Sequence, residues 1–176
     1  AETTVGPLPP ARPATAFELE PDSAGGFGVR FGGRRVTASS AFSFPHGGEN
    51  GLGAGVAGEA EWQPTVTPTP GGGFRAVAAG DYYRIEREVV LEPGRIRVSD
   101  RLSNRAAEPV GLFVDHRVQC GELEPRQVYL AGYPGAAPFE KCPMDTNPTV
   151  FVAGAGCGLG LVALDDVLIV QSGGSL

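Results

Sequence analysis

The chain has 176 residues, enough for one domain with a substantial core, and carries a formal charge of −6 from 14 basic and 20 acidic side chains. That balance excludes a phosphate-tracking surface. The arginines alternate with acids, no basic cluster with interleaved aromatics occurs, and nucleic acid is not an expected partner. The 27 Gly and 16 Pro disfavour long helices and favour turns and short strands, and no apolar run approaches the ~20 residues of a membrane span.

Residues 1–14, AETTVGPLPPARPA, are Pro-rich and read as an extended leader or linker. Residues 15–176 read as a single β-domain. The start at Ala1, without Met or a secretory apolar stretch, is expected of a processed or excised chain. Strands are predicted over 17–20, 27–31 and 34–44, with Gly32-Gly33 as a two-residue hairpin turn between the last two. Residues 45–58 read as a Gly-rich loop holding His46, Glu49 and Asn50. A strand is expected over 59–63 and at Val66, then a Thr-Pro-Thr-Pro-Gly-Gly-Gly turn and a strand over 74–79. Residues 82–119 read as three consecutive antiparallel strands, and 121–148 as an irregular stretch with a Gly-Tyr-Pro-Gly turn around Tyr133. Strands over 149–153, 158–164 and 167–171 follow, with Asp165-Asp166 as the last turn. No 3.6-residue period is sustained, so the predicted class is an all-β, antiparallel β-sandwich.

The central hairpin can be read residue by residue. Glu92-Pro93-Gly94-Arg95 suits a type II turn, with Pro and Gly at its two central positions. A two-residue loop sets Leu91 opposite Ile96, Val89 opposite Val98, Arg87 opposite Asp100 and Ile85 opposite Leu102, all on one face. Val90 with Arg97, Glu88 with Ser99 and Glu86 with Arg101 form the other. The first face is expected to cover the core around an embedded Arg87–Asp100 pair, and the second to meet solvent.

Candidate chemistry is sparse. No Gly-x-Ser-x-Gly elbow, phosphate-binding loop or metal-ligand spacing occurs, and no metal or cofactor is expected. Gly154-Ala155-Gly156-Cys157-Gly158 follows a strand, but the alternating residues after it read as another strand, which excludes a dinucleotide fingerprint. Cys120 and Cys142 flank a loop-rich segment. A disulfide there would close ~23 residues and contribute about 3 kcal/mol. The alternative is free thiols at all three cysteines, with Cys157 a small core residue. His46 reads as an exposed turn residue. His116 shares parity with Leu112, Val114 and Val118, which suits a half-buried histidine satisfied within the core. Glu59 and Glu61 would share a solvated strand face.

The phrase LEPGRIRVSDRLSNRAAEPVGLFVDHRV, preceded by Arg87 and three residues, resembles segments of galactose-mutarotase-like β-supersandwich domains in carbohydrate-active enzymes. The later NPTVFVAGAGCGLGLVALDDVLIVQ is similar to a strand pair in large bacterial proteins related to glycoside hydrolases. The resemblance spans about 15–176 and is distinctive over 82–119 and 147–171. It implies a supersandwich-like fold, incomplete at this length, in an extracytoplasmic or secreted bacterial protein. It also implies a non-catalytic accessory module that packs on another protein module and contacts glycans. Aromatic rings stack on sugars, so Trp62, Tyr82, Tyr83, Tyr129 and Tyr133 are candidate carbohydrate contacts, with Trp62, Tyr133 and His116 foremost. Two other roles are open. Copies of the chain could assemble by strand addition of residues 3–20 to an open sheet edge. A mutarotase or epimerase activity would need His116 as acid facing a carboxylate such as Glu122 or Glu124.

Overall fold

Small, β-branched and aromatic residues from Arg34 to Phe44 form the longest strand of the chain, and the first sheet is built around it. The structure is a computed structural model and describes residues 17–123, 127–130, 133–135, 149–154 and 156–164. In chain order the strands are β1 (Glu18–Pro21), β2 (Phe27–Phe31), β3 (Arg34–Phe44), β4 (Gly48–Leu52), β5 (Thr65–Pro68), β6 (Phe74–Ala79), β7 (Tyr83–Glu92), β8 (Arg95–Asn104), β9 (Val114–Gln119), β10 (Gln127–Leu130), β11 (Tyr133–Gly135), β12 (Val150–Ala153) and β13 (Gly158–Leu161). All pairings are antiparallel, and the architecture is all-β and sandwich-like, as the composition predicts. Among the described residues no helix is long and apolar enough to cross a membrane.

Register defines the first sheet. Both β2 and β9 pair with Thr37 and Ala38, so they flank β3 on opposite sides. Both β4 and β9 pair with Ser40 to Phe42, so β4 lies on the β2 side, end to end with it. The Gly53 amide donates to the Ala24 carbonyl at 2.9 Å and stitches that junction. The second sheet has the order β5-β6-β7-β8. Phe27 of β2 meets Phe74 of β6 edge to face at 5.9 Å, and the Tyr83 hydroxyl of β7 donates to the Phe42 carbonyl of β3 at 2.6 Å. The two sheets therefore stack with β2 over β6 and β3 over β7.

A third sheet, β11-β10-β12-β13, contributes Val128, Leu130 and Val152 to the core formed by Phe27, Val29, Phe31, Val36, Phe74, Ala76 and Val89. A 3-10 turn over Gly121–Leu123 buries Leu123 completely between them. The Glu122 carboxylate accepts from the Arg35 amide at 2.8 Å and anchors that turn to the start of β3.

The turns and the central register match the sequence expectation. Gly32 and Gly33 have φ of 55° and 74°, as a two-residue hairpin loop of mirror-image type requires. Leu91–Ile96, Val89–Val98, Arg87–Asp100 and Ile85–Leu102 are all cross-strand pairs, around Gly94 at φ 77°.

Other expectations need correction. The segment 45–58 is not one loop: Pro45 to Gly47 make a tight turn and β4 returns along β3. Gly-Glu-Asn-Gly-Leu has little strand character, but glycine is needed because larger residues would collide. A Cβ on Gly48 would lie 2.0 Å from the Phe44 ring, and one on Gly51 would lie 2.1 Å from Val56. Residues 59–63 are not a strand. The Trp62 amide closes a turn onto the Glu59 carbonyl at 2.9 Å, and the strand begins at Thr65. The third strand of 82–119 does not continue its sheet: β9 crosses to the far side of β3. Residues 121–148 are not wholly irregular, since they contain β10 and β11, and Tyr133 starts a strand rather than sitting within a turn. The strand at 167–171 and the Asp165-Asp166 turn lie outside the described residues.

Candidate functional site

The core-facing side of the β7–β8 hairpin is only half covered. Ile85 and Val89 on β7 are fully buried, whereas Val98 and Leu102 on β8 are 40% and 38% exposed. This corrects the expectation that the whole face is core. The reason is topological: β8 ends the second sheet and β9 ends the first, and among the described residues no strand pairs with the outer edge of either. Among the described residues the sandwich is therefore open along one side, between two edge strands.

A chain of polar groups spans the two sheets at that side. Arg87 is 1% exposed and binds Asp100 of β8 through both carboxylate oxygens, from Nε at 2.8 Å and Nη2 at 2.7 Å. The same Nη2 donates across the sandwich to Ser40 Oγ of β3 at 2.7 Å. Ser40 Oγ lies 2.8 Å from His116 Nδ1 on β9, the strand beside β3. Phe42 completes the arrangement, with its face 5.8 Å from the guanidinium carbon and the His116 ring edge-on at 6.3 Å. His116 itself is exposed at the open side. Burial of its inner edge pushes the imidazole below its usual pKa. Asp100 opposes that shift, Arg87 reinforces it and Asp115 opposes it.

This geometry resembles a nucleophile–base pair but lacks its chemistry. Ser40 is 3% exposed and its Oγ already accepts from Arg87, so the hydroxyl is engaged within the fold and not presented to a substrate. Both Asp100 oxygens are held by Arg87, and Asp115 binds Arg117 at 2.6 Å. Glu122, a suggested carboxylate partner of His116, is engaged by Arg35 and lies at the other end of β3; Glu124 lies outside the described residues.

A second polar cluster pins the loop between β4 and β5. Asn50 is fully buried and donates to the Glu59 carboxylate at 2.6 Å, while its carbonyl accepts from the Glu59 amide at 2.8 Å. The other Glu59 oxygen accepts from the Asp81 amide at 2.9 Å, so Glu59 is a staple rather than a solvated strand residue. Glu61 is exposed. Asn50 also donates to the Tyr83 hydroxyl at 3.2 Å.

Burial pushes the Tyr83 phenol up from 10.0 to about 12; the Asn50 hydrogen bond opposes this, and Glu59 and Glu49 add to it. The folded state then holds its proton where the unfolded chain has lost it. Stability should fall as pH rises from 10 towards 12. Urea midpoints measured at pH 8, 10 and 11 should drop in the native chain and stay flatter in Tyr83→Phe.

The remaining sequence candidates are dispersed. Trp62 is 8% exposed, donates to the Gly51 carbonyl at 2.7 Å and packs edge-on against Tyr83, so it fills core instead of offering a ring face to a sugar. Tyr82 stacks on Phe44. Tyr129 lies beside Phe151 on the outer face of the third sheet. Tyr133 is on β11, in that sheet. His46 is exposed in the β3–β4 turn at φ 71°. Cys120 and Cys157 are half-buried free thiols; Cys142, the suggested partner of Cys120, lies outside the described residues. The hairpin between β12 and β13 confirms that the Gly-rich run leads into a strand. Among the described residues no group of three or more His, Cys, Asp or Glu could hold a metal ion. Ser40 was not singled out from the sequence, because a lone serine in an alternating strand carries no signal of what faces it.

A depression of about 390 Å³ on the outer face of the second sheet is lined by Arg75, Glu86, Glu88, Ser99 and Arg101. Arg75 and Arg84 both bind Glu86 there, and its carboxyl is held below its usual range chiefly by Arg75. No family model matches this chain, and no curated protein or solved structure does so either.

Proposed function

We propose that this chain is a non-catalytic β-sandwich module of an extracytoplasmic, carbohydrate-active bacterial protein, and that it holds a partner module against its open side. The observation that carries the reading is the inner face of β8, where Val98 and Leu102 stand exposed beside a strand edge that is unpaired among the described residues. Apolar side chains in that position gain from burial at about 25 cal/mol per Å². The engagement of Asp100, Asp115 and Ser40 within the fold supports a structural rather than a chemical use of this side. The carbohydrate context rests on the galactose-mutarotase-like resemblance.

A photo-crosslinking residue at position 98, introduced in the producing cell, tests this. Capture of a different protein module is expected. Capture of a second copy would establish self-assembly instead, and an uncrosslinked chain would overturn docking at this side. Self-assembly through residues 3–20 is the second reading, favoured by the β8 edge, which no strand pairs among the described residues. The last part of that segment already pairs with β2 within its own sheet. Polarimetry on free aldoses separates the enzymatic alternative. The chain should leave the spontaneous rate of anomer equilibration unchanged, whereas an acceleration that His116→Ala abolishes would establish a mutarotase.

A further inference from the structure

The Ser40 hydroxyl has one proton and two polar neighbours. Arg87 Nη2 can only donate, so Ser40 Oγ accepts there. The Ser40 proton then needs an acceptor of its own, and among the described residues the one in reach is His116 Nδ1, at 2.8 Å. A neutral imidazole with its proton on Nε2 supplies that acceptor.

We propose that the Ser40–His116 hydrogen bond is an acid-sensitive tether that holds edge strand β9 to the sandwich and so regulates the open side. The regulatory meaning, though not the tether itself, rests on the docking role proposed above. Protonating Nδ1 removes the acceptor and strands a buried hydroxyl, because Ser40 is 3% exposed. It also sets an imidazolium beside the buried guanidinium. The charged groups facing His116 are Arg87 from β7, Asp100 from β8 and Asp115 from β9 itself; β3 offers Ser40 and the edge of Phe42. Asp100 and Asp115 favour the cation, but Arg87 holds both Asp100 oxygens and Arg117 holds Asp115, and burial outweighs their pull. Burial first, then Arg87, hold the imidazole below its ordinary 6.5. An opened β9 would take up a proton that the closed strand refuses. The tether is therefore at full strength above that ordinary value and weakens as pH falls through the closed-state value.

The test uses the isolated chain, so its failure would leave the crosslinking result at position 98 untouched. Nitrogen-15 NMR of His116 should report the Nε2–H tautomer at neutral pH and a depressed titration. Hydrogen exchange of the β9 amides, corrected for intrinsic rates, should lose protection on acidification. Linkage sets the size of that loss: it equals the ratio of the His116 proton dissociation constants in the closed and opened strand. His116→Gln, whose amide oxygen can accept the same Ser40 proton without titrating, should keep β9 protection independent of pH. A proton on Nδ1 at neutral pH, unchanged β9 protection while His116 titrates, or a His116→Gln variant as acid-sensitive as the parent would each overturn the proposal.

Discussion

Asp100→Ala should lower the unfolding free energy by about 3–5 kcal/mol. The substitution removes few contacts of its own, since it deletes one carboxylate from an edge strand. The cost comes from what remains. Arg87 is 1% exposed, and without Asp100 its Nε and one Nη2 bond lose their acceptor while the charge stays buried. Among the described residues Ser40 is then the guanidinium's remaining hydrogen-bond partner, and a neutral hydroxyl does not balance a full charge. A loss of this size is a large part of the 5–15 kcal/mol typical of a domain. The double variant Arg87→Met with Asp100→Leu should recover most of it, because replacing both charges by apolar groups of similar volume is often neutral or better. Urea unfolding of the wild type, both singles and the double variant gives the coupling directly. If Asp100→Ala unfolds at the wild-type midpoint, the pair is not a constraint on the fold.

Phe42→Ala should cost a similar amount, about 3–5 kcal/mol, by a different route. The ring is fully buried near the C-terminal end of β3, with β4 on one side and β9 on the other. It packs in the cluster that includes Leu52, Trp62, Ala78, Tyr83 and Ile85, and it lies between Arg87 and His116. Deleting it removes transfer energy and leaves a cavity walled by two flanking strands that cannot close over it. A charged group would then border that cavity. The melting temperature should fall by ~6–20 °C, at 2–4 °C per kcal/mol for a chain of this size. Phe42→Leu, which keeps most of the apolar volume, should fall much less. Because Phe42 and Asp100 both contact Arg87, their combined effect should depart from the sum of the singles.

Much of the fold was legible because it is encoded locally. Period-two alternation and turn chemistry act over a few residues, and they sufficed for β2, β3 and β6, for the Gly32-Gly33 turn and for every pair from Ile85–Leu102 to Leu91–Ile96. The Arg87–Asp100 bridge follows from the same register. Where the local signal was weak, the reading failed. Gly48 to Leu52 looks like a loop, yet the Phe44 ring and Val56 occupy the space that side chains on Gly48 and Gly51 would need. Glu59 to Gln63 alternates like a strand, yet the Glu59 carboxylate is bound to Asn50 and the Asp81 amide, which folds the segment into a turn. Trp62 could have been a sugar platform or core, and burial beside Tyr83 decides for core.

The sequence by itself determined the β architecture, the central hairpin and the presence of a charge pair on its apolar face, because alternation and turn type are properties of neighbours along the chain. Tertiary structure alone decided that β9 leaves its hairpin for the far side of β3. It also decided that Ser40, 47 residues from Arg87 and 76 from His116, joins them, and that Val98 and Leu102 face an open side. Those outcomes depend on which strand ends each sheet, and a strand's own residues do not specify its neighbour when several partners of equal polarity compete.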